Sequence, residues 1–105
     1  MSEKDVLEYL EPQRVRDLVA SDKTVVIVDV RSPEEYARGH IDGAINIPAD
    51  EVVNRVDDVP ETSVVVTVCG LGGRRSTEAA KALKTLGREG TMVLKGGMRG
   101  WLETE

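Results

Sequence analysis

Apolar residues fall into short runs along the chain, and these runs predict β-strands. The run at 64–68 is β-branched and shows no alternation of apolar and polar residues, which is typical of a strand buried on both faces of a parallel sheet. Residues 25–30 form a second run of this kind. Shorter runs at 7–10, 44–47 and 91–94 predict further strands.

Helical patterns separate these strands. A first helix begins at Pro12. Its predicted buried face contains Val15, Leu18 and Val19. Residues 32–35 form a capping box with proline at the first helical position, so a short helix starts there and ends at Gly39. A longer helix follows Arg75 and ends at Gly87. Strands alternating with helices predict an α/β fold of three layers, α/β/α, with a mostly parallel sheet of about five strands.

The strand at 64–68 leads through a glycine-rich turn into the longer helix, and Cys69, the only cysteine, lies at this junction. If residues 70–74 wrap around the Cys69 sulfur, their N–H groups and the positive end of the helix converge on one point and form an anion-binding site. Glycine at three of these five positions permits such a wrap. The residues predicted to bind the substrate anion are Gly70, Leu71, Gly72, Gly73, Arg74 and Arg75.

Cys69 is the predicted nucleophile. Helix N-termini and neighbouring arginines lower the pKa of a cysteine from about 8.5 to about 3.5–7.5, and the thiolate is the reactive form. The alternative is a cysteine that only fills space at the end of a strand. The adjacent glycines and arginines favour the nucleophile. A single cysteine also excludes an internal disulfide and a resolving thiol.

Charge is distributed unevenly, although the whole chain has a net charge of -5. Residues 1–68 contain seven basic and fifteen acidic residues, whereas residues 69–101 contain seven basic and two acidic ones. An anionic substrate is therefore attracted to the region of Cys69, and no nucleic-acid partner is expected. Three of the basic residues are interpreted as an ordinary solvated helix face: Lys81, Lys84 and Arg88.

The length of 105 residues fits one domain spanning 1–105, with residues 1–5 expected to form a flexible tail. The N-terminus is polar and does not resemble a signal peptide, and the longest apolar runs have only the length of strands. We therefore expect a cytoplasmic protein without a membrane partner. The sequence predicts no metal ion and no cofactor.

Motifs along nearly the whole chain resemble the rhodanese-homology domain, a sulfurtransferase family. The first family motif is matched at residues 29–31, 35–36, 39–41, 43–44 and 46–48, and the closing motif at 96–98 and Trp101. The resemblance implies that Cys69 accepts sulfane sulfur as a persulfide inside the loop of residues 70–75. It also implies transfer from a small anionic donor, thiosulfate or a persulfide, to a thiol, a protein or cyanide.

Three further motif residues are interpreted as supporting residues of this site. Asp29 and Arg31 are predicted to form an ion pair at the end of the strand at 25–30. His40 has the chemistry of a proton carrier near neutral pH. A lone histidine between glycine and isoleucine more often orders a turn by hydrogen bonding, and the family resemblance also implies a structural role.

The loop departs from the family pattern by one residue. Many single-domain rhodaneses have four residues between the cysteine and an Arg-Ser pair, whereas five residues separate Cys69 from Arg75 here, and Ser76 follows. This wider spacing resembles cell-cycle phosphatases of the rhodanese fold and the related arsenate reductases. A second alignment takes Arg74 as the family arginine and keeps the loop short. Both alignments stay open.

Three functions are compatible with these residues: a sulfurtransferase, an arsenate reductase or small cysteine phosphatase, and a binding module with an inactive cysteine. A phosphatase needs a carboxylic acid that protonates the alkoxide leaving group. The turn after Cys69 contains no acid, although Asp42 or Asp50 could supply one from elsewhere. Sulfite leaving thiosulfate is a stable anion that needs no proton, so cationic and N–H stabilisation suffice. The sequence therefore favours sulfur transfer.

Overall fold

Five short strands form one parallel sheet in the computed structural model, which describes residues 6–21, 24–61, 64–71 and 73–104. The strands are β1 (Tyr9–Leu10), β2 (Val25–Asp29), β3 (Ile45–Asn46), β4 (Val64–Val68) and β5 (Thr91–Leu94). Their order across the sheet is β1-β5-β4-β2-β3, and every pairing between them is parallel. The predicted α/β fold is confirmed, and β4 is its central strand. The tail predicted at 1–5 lies outside the described residues.

Helices connect the strands and cover the sheet. The α-helices are α1 (Pro12–Ser21), α2 (Pro33–Ala37), α3 (Arg74–Thr85) and α4 (Gly97–Glu103), and two 3₁₀-helices cover Ala49–Glu51 and Val53–Asp58. The predicted capping box of α2 is present, with Ser32 as its N-cap. In the ranges that the structure describes, no helix has both the length and the hydropathy needed to cross a membrane.

Two apolar clusters pack on the two faces of the sheet. Val65 belongs to the cluster beneath α3 and the 3₁₀-helices, whereas Val66 and Val68 belong to the cluster beneath α1 and α4. Neighbouring residues of a strand point to opposite faces, so a strand covered on both sides must be apolar at nearly every position. This is why the runs at 25–30 and 64–68 lack alternation.

Two predictions of side-chain burial made from the sequence are wrong, one for Arg88 and one for Val19. Arg88 is only 6% exposed, because Gly87 turns the chain with a φ of +101° and directs the arginine back beneath the second 3₁₀-helix. Its guanidinium donates hydrogen bonds to the carbonyl oxygens of Val59 and Val56, at 2.8 and 3.0 Å. Val19 was predicted on the buried face of α1 but is 44% exposed, since only the beginning of that helix is buried.

Candidate active site

Cys69 lies directly after the central strand β4, at the carboxyl end of the sheet, where parallel α/β proteins bind ligands. Only 3% of the residue's surface is exposed. Two amides of the first turn of α4 bind the chain at Cys69 and Gly70. The N–H of Met98 donates to the carbonyl oxygen of Cys69 at 2.8 Å, and the N–H of Arg99 donates to that of Gly70 at 3.0 Å.

The sulfur of Cys69 is held between an amide and a hydroxyl group. The N–H of Gly73 donates to Sγ at 3.2 Å, and the Oγ of Ser76 lies 3.1 Å from Sγ. Ser76 is fully buried, and its Oγ also lies 3.1 Å from the carbonyl oxygen of Gly73. The predicted amide donation to sulfur is thus present at Gly73, while Gly72 lies outside the described residues. Ser76 was not among the site residues predicted from the sequence, although its position directly after Arg75 matches the Arg-Ser pair of the family and could have indicated its role.

The helix α3 begins at Arg74, two residues earlier in the chain than the predicted start after Arg75, with Gly73 as its N-cap. Both arginines therefore belong to the first turn of the helix. Gly73 caps the helix without a side chain, so the usual signal of a serine, threonine or aspartate at the helix start is missing.

Arg75, not Arg74, is the arginine that lies against the turn. Its Nη2 is 3.6 Å from the point that a Cβ on Gly70 would occupy. The pKa of Arg75 is raised mainly by its hydrogen bonds to Glu35, and the Cys69 sulfur also contributes. Arg74 is exposed and makes no hydrogen bond or ion pair with any residue that the structure describes. Together with the contact of Ser76 to Sγ, this geometry favours the alignment with the wider loop.

Glu35 is the carboxylate that the fold brings to this arginine. Its Oε1 lies 2.8 Å from Nη1 of Arg75, and its Oε2 lies 3.4 Å from Nη2. The hydrogen bond from Arg75, followed by that from the Ser32 amide, lowers the pKa of Glu35 from 4.5 to about 2. Glu35 is therefore ionised at neutral pH and cannot donate a proton to a leaving group. Asp42 and Asp50 are both exposed and make no hydrogen bond with the described residues of the loop.

The predicted ion pair of Asp29 and Arg31 is present at the end of β2. The carboxylate is 1% exposed and accepts hydrogen bonds from Nε at 3.0 Å and from Nη2 at 2.7 Å. Arg31 Nη2 also donates to the carbonyl oxygen of Gly39 at 2.8 Å. The pair therefore ties the end of the strand to the chain after α2.

His40 orders this same segment. Its Nδ1 lies 2.8 Å from the carbonyl oxygen of Tyr36, and its ring stacks on the Tyr36 ring with centroids 3.7 Å apart. This contact agrees with the predicted turn-ordering role of the histidine.

A family model described as the Rhodanese-like domain matches residues 11–104 of this chain. The chain belongs to the rhodanese-like family. The resemblance seen in the sequence motifs is confirmed, and the junction of β4 and α3 is the position at which this rhodanese-like domain presents its only cysteine.

Three of the similar proteins carry names that refer to sulfur chemistry. The putative sulfur carrier protein YrkF of Bacillus subtilis is 39% identical over 83 residues, which cover 79% of this chain and 44% of YrkF. Thiosulfate sulfurtransferase PspE of Escherichia coli is 43% identical over 61 residues, covering 57% of this chain and 59% of PspE. The structure of the human single-domain sulfurtransferase TSTD1 is 30% identical, with a TM-score of 0.79 and coverage of 94% and 96%. The chain thus spans less than two thirds of YrkF and PspE.

A cleft of about 460 Å³ lies between the chain from Arg31 to His40 and the helix α4, and none of the described residues of the loop after Cys69 lines it. One wall carries charged and polar side chains, including Glu35, Arg38 and His40, and the other carries Met98, Trp101 and Leu102 of α4. Glu35 contacts Arg75, and the amide of Met98 binds the Cys69 carbonyl, so both walls are connected to the loop. Among the described residues, no group of three or more potential metal ligands is present.

The ion pair of Glu35 and Arg75 predicts a pH dependence of stability. The folded-state pKa of Glu35 is lowered, so the pair stabilises the fold above pH 4.5 and this contribution is lost as the pH falls towards about 2. Because the two side chains are 34% and 44% exposed, solvent limits the contribution to on the order of 1 kcal/mol. Urea unfolding of the wild type and of Glu35→Gln at a series of pH values measures it. We expect a constant difference in unfolding free energy at neutral pH that decreases in acid; a difference that increases in acid contradicts the assignment.

Proposed function

We propose that this rhodanese-like domain is a sulfurtransferase that carries sulfane sulfur on Cys69 from thiosulfate or a persulfide donor to a thiol, a protein or cyanide. The proposal rests on the groups that surround the sulfur of Cys69. Sγ is held by an amide and a hydroxyl group beside Arg75, while the carboxylate nearest to this arginine is ionised. Such a site stabilises anions and offers no acid.

In the first half of the reaction, the Cys69 thiolate attacks the outer sulfur of thiosulfate. A bond forms between Sγ and the outer sulfur, and the bond between the two sulfurs of thiosulfate breaks. Its electron pair leaves with sulfite, and the terminal sulfur of the new persulfide carries the remaining charge. No proton is needed, and Arg75 stabilises the charge on the departing sulfonate group.

In the second half, an acceptor thiolate or cyanide attacks the terminal sulfur of the persulfide. The S–S bond breaks, and its electron pair returns to Sγ as the thiolate. The amide of Gly73 stabilises this leaving thiolate by donating to Sγ at 3.2 Å. The Ser76 hydroxyl donates to the Gly73 carbonyl oxygen in the structure and lies 3.1 Å from Sγ, so it adds to this stabilisation when its proton turns to the sulfur. The cleft beside α4 gives an acceptor room to approach the loop.

Oxyanion chemistry is the second candidate, because five residues separate Cys69 from Arg75. A cysteine phosphatase, however, requires a protonated carboxyl group at the leaving oxygen. Glu35 is the carboxylate beside Arg75, and its pKa of about 2 keeps it ionised. The site therefore favours sulfur transfer over ester hydrolysis. Turnover of an aryl phosphate, or of arsenate with glutathione and glutaredoxin, would support this second candidate instead.

Mass spectrometry of the intact protein tests the proposal. After incubation with thiosulfate and removal of the excess, we expect a gain equal to one sulfur atom on the wild type and none on Cys69→Ser. Addition of cyanide should remove this mass and release thiocyanate in equal amount. If the wild type gains no sulfur and forms no thiocyanate, the proposed function is wrong. A Cys69 alkylation rate that follows the ordinary thiol pKa of about 8.5 would then favour a binding module.

A further inference from the structure

The ion pair of Glu35 and Arg75 joins two elements that are distant in the chain. Glu35 belongs to α2 and Arg75 to the first turn of α3, 40 residues later. Both oxygens of the carboxylate take part, with Oε1 at 2.8 Å from Nη1 and Oε2 at 3.4 Å from Nη2. Two parallel contacts fix the direction of the planar guanidinium as well as its distance.

The carboxylate of Glu35 is itself held in place by the helix cap. Its Oε1 accepts a hydrogen bond from the amide of Ser32 at 3.1 Å, and the Oγ of Ser32 accepts one from the amide of Glu35 at 3.2 Å. Ser32 directly follows the buried pair of Arg31 and Asp29. Glu35 is therefore anchored to the rigid end of β2, and a fixed carboxylate restricts the arginine that binds it.

Arg75 would be mobile without this partner, because its side chain is 44% exposed and arginine has many rotamers. In the observed conformation its Nη2 lies beside Gly70, next to the turn that follows Cys69. We propose that Glu35 is a positioning residue, which holds the Arg75 guanidinium against the active-site turn so that it meets the anionic end of the sulfur donor. This rests on the proposed sulfurtransferase function and adds a residue to it.

Substitution of Glu35 changes kcat/KM for thiosulfate in a direction that depends on the role of this residue. If Glu35 only compensated the charge of Arg75, its removal would strengthen the attraction of the site for an anion and raise kcat/KM for thiosulfate. If Glu35 positions the arginine, its removal lowers kcat/KM, because a misplaced charge stabilises the transition state poorly. The two roles thus give opposite results in one measurement.

The experiment compares Glu35→Gln and Glu35→Ala with a matched control. Glu34→Gln removes the same charge from the adjacent residue of α2, which is exposed. We expect both Glu35 variants to lower kcat/KM for thiosulfate about tenfold, and Glu34→Gln to stay within about twofold of the wild type.

A double-mutant cycle shows whether the effect passes through Arg75. In an Arg75→Gln background, Glu35→Gln should have no further effect on kcat/KM, since the group that it positions is gone. An unchanged or raised kcat/KM in the Glu35 single variants, or an equal loss in both backgrounds, overturns the proposal.

A second readout does not depend on sulfur transfer. Iodoacetate and iodoacetamide both alkylate Cys69, but only iodoacetate carries a negative charge that a positioned arginine attracts. We expect Glu35→Gln to lower the ratio of the two alkylation rates, and Glu34→Gln to leave this ratio unchanged. If the wild type transfers no sulfur and the ratio still falls in Glu35→Gln, the proposed function fails while the positioning role holds. If the ratio does not fall, the positioning role is wrong.

Discussion

If the proposed sulfurtransferase function is correct, we expect the replacement of Arg75 with glutamine to lower kcat/KM for thiosulfate by about 10²–10³-fold, which corresponds to the loss of one preorganised donor to an anionic transition state. The same change at Arg74 costs at most about threefold, the size of a screened surface charge. The difference follows from the structure. Arg75 lies beside Gly70 and is influenced by the Cys69 sulfur, whereas Arg74 is exposed and has no partner among the described residues.

Steady-state kinetics with thiosulfate and cyanide measures both variants. Arg75→Lys is an informative third variant, because it keeps the charge but cannot reproduce the two-point contact with Glu35, so we expect an intermediate loss. Arg75→Gln also breaks an exposed ion pair, and the assays are therefore run well below the melting temperature of each variant. If Arg74→Gln shows the larger loss, the shorter loop alignment is correct and our assignment is wrong.

The sheet was predictable because its signals are local. The runs at 25–30 and 64–68 must be apolar at nearly every position, since the two apolar clusters bury both faces of β2 and β4. The cap of α2 was also predictable, because all its atoms belong to residues 32–35. Glu35 of this cap, however, also binds Arg75, and the capping-box pattern does not predict that contact.

The unpredicted features depend on contacts between distant parts of the chain. Glu35 meets Arg75 only because α2 and α3 both begin at the carboxyl edge of the sheet, and nothing in the local sequence pairs two residues 40 positions apart. Arg88 has the sequence context of a surface arginine, and its burial depends on two carbonyl groups about 30 residues away, one in the second 3₁₀-helix and one directly after it. The start of α3 at Arg74 was missed because a glycine cap carries no side-chain signal.

The buried pair of Asp29 and Arg31 should dominate the stability of this edge of the sheet. Asp29→Ala is expected to lower the free energy of unfolding by about 3–5 kcal/mol, because it leaves the guanidinium of Arg31 buried without its counter-charge. The side chain of Arg31 is only 10% exposed, so water cannot replace the lost carboxylate. The free energy of unfolding of a small domain is about 5–15 kcal/mol in total, so this single substitution removes a large part of the stability.

The double variant Asp29→Ala with Arg31→Met separates the unpaired charge from the lost packing. Removing both partners eliminates the buried charge, so we expect the double variant to be more stable than Asp29→Ala alone. Asp58→Ala is the matched surface control, since its ion pair with Arg55 is exposed and screened by solvent, so its removal should cost much less stability than Asp29→Ala. Urea unfolding of five proteins measures these differences: the wild type, Asp29→Ala, Arg31→Met, the double variant and Asp58→Ala. If the losses in the double variant simply add, Arg31 does not depend on Asp29, and the strand end is held by Arg31's hydrogen bond to Gly39 instead.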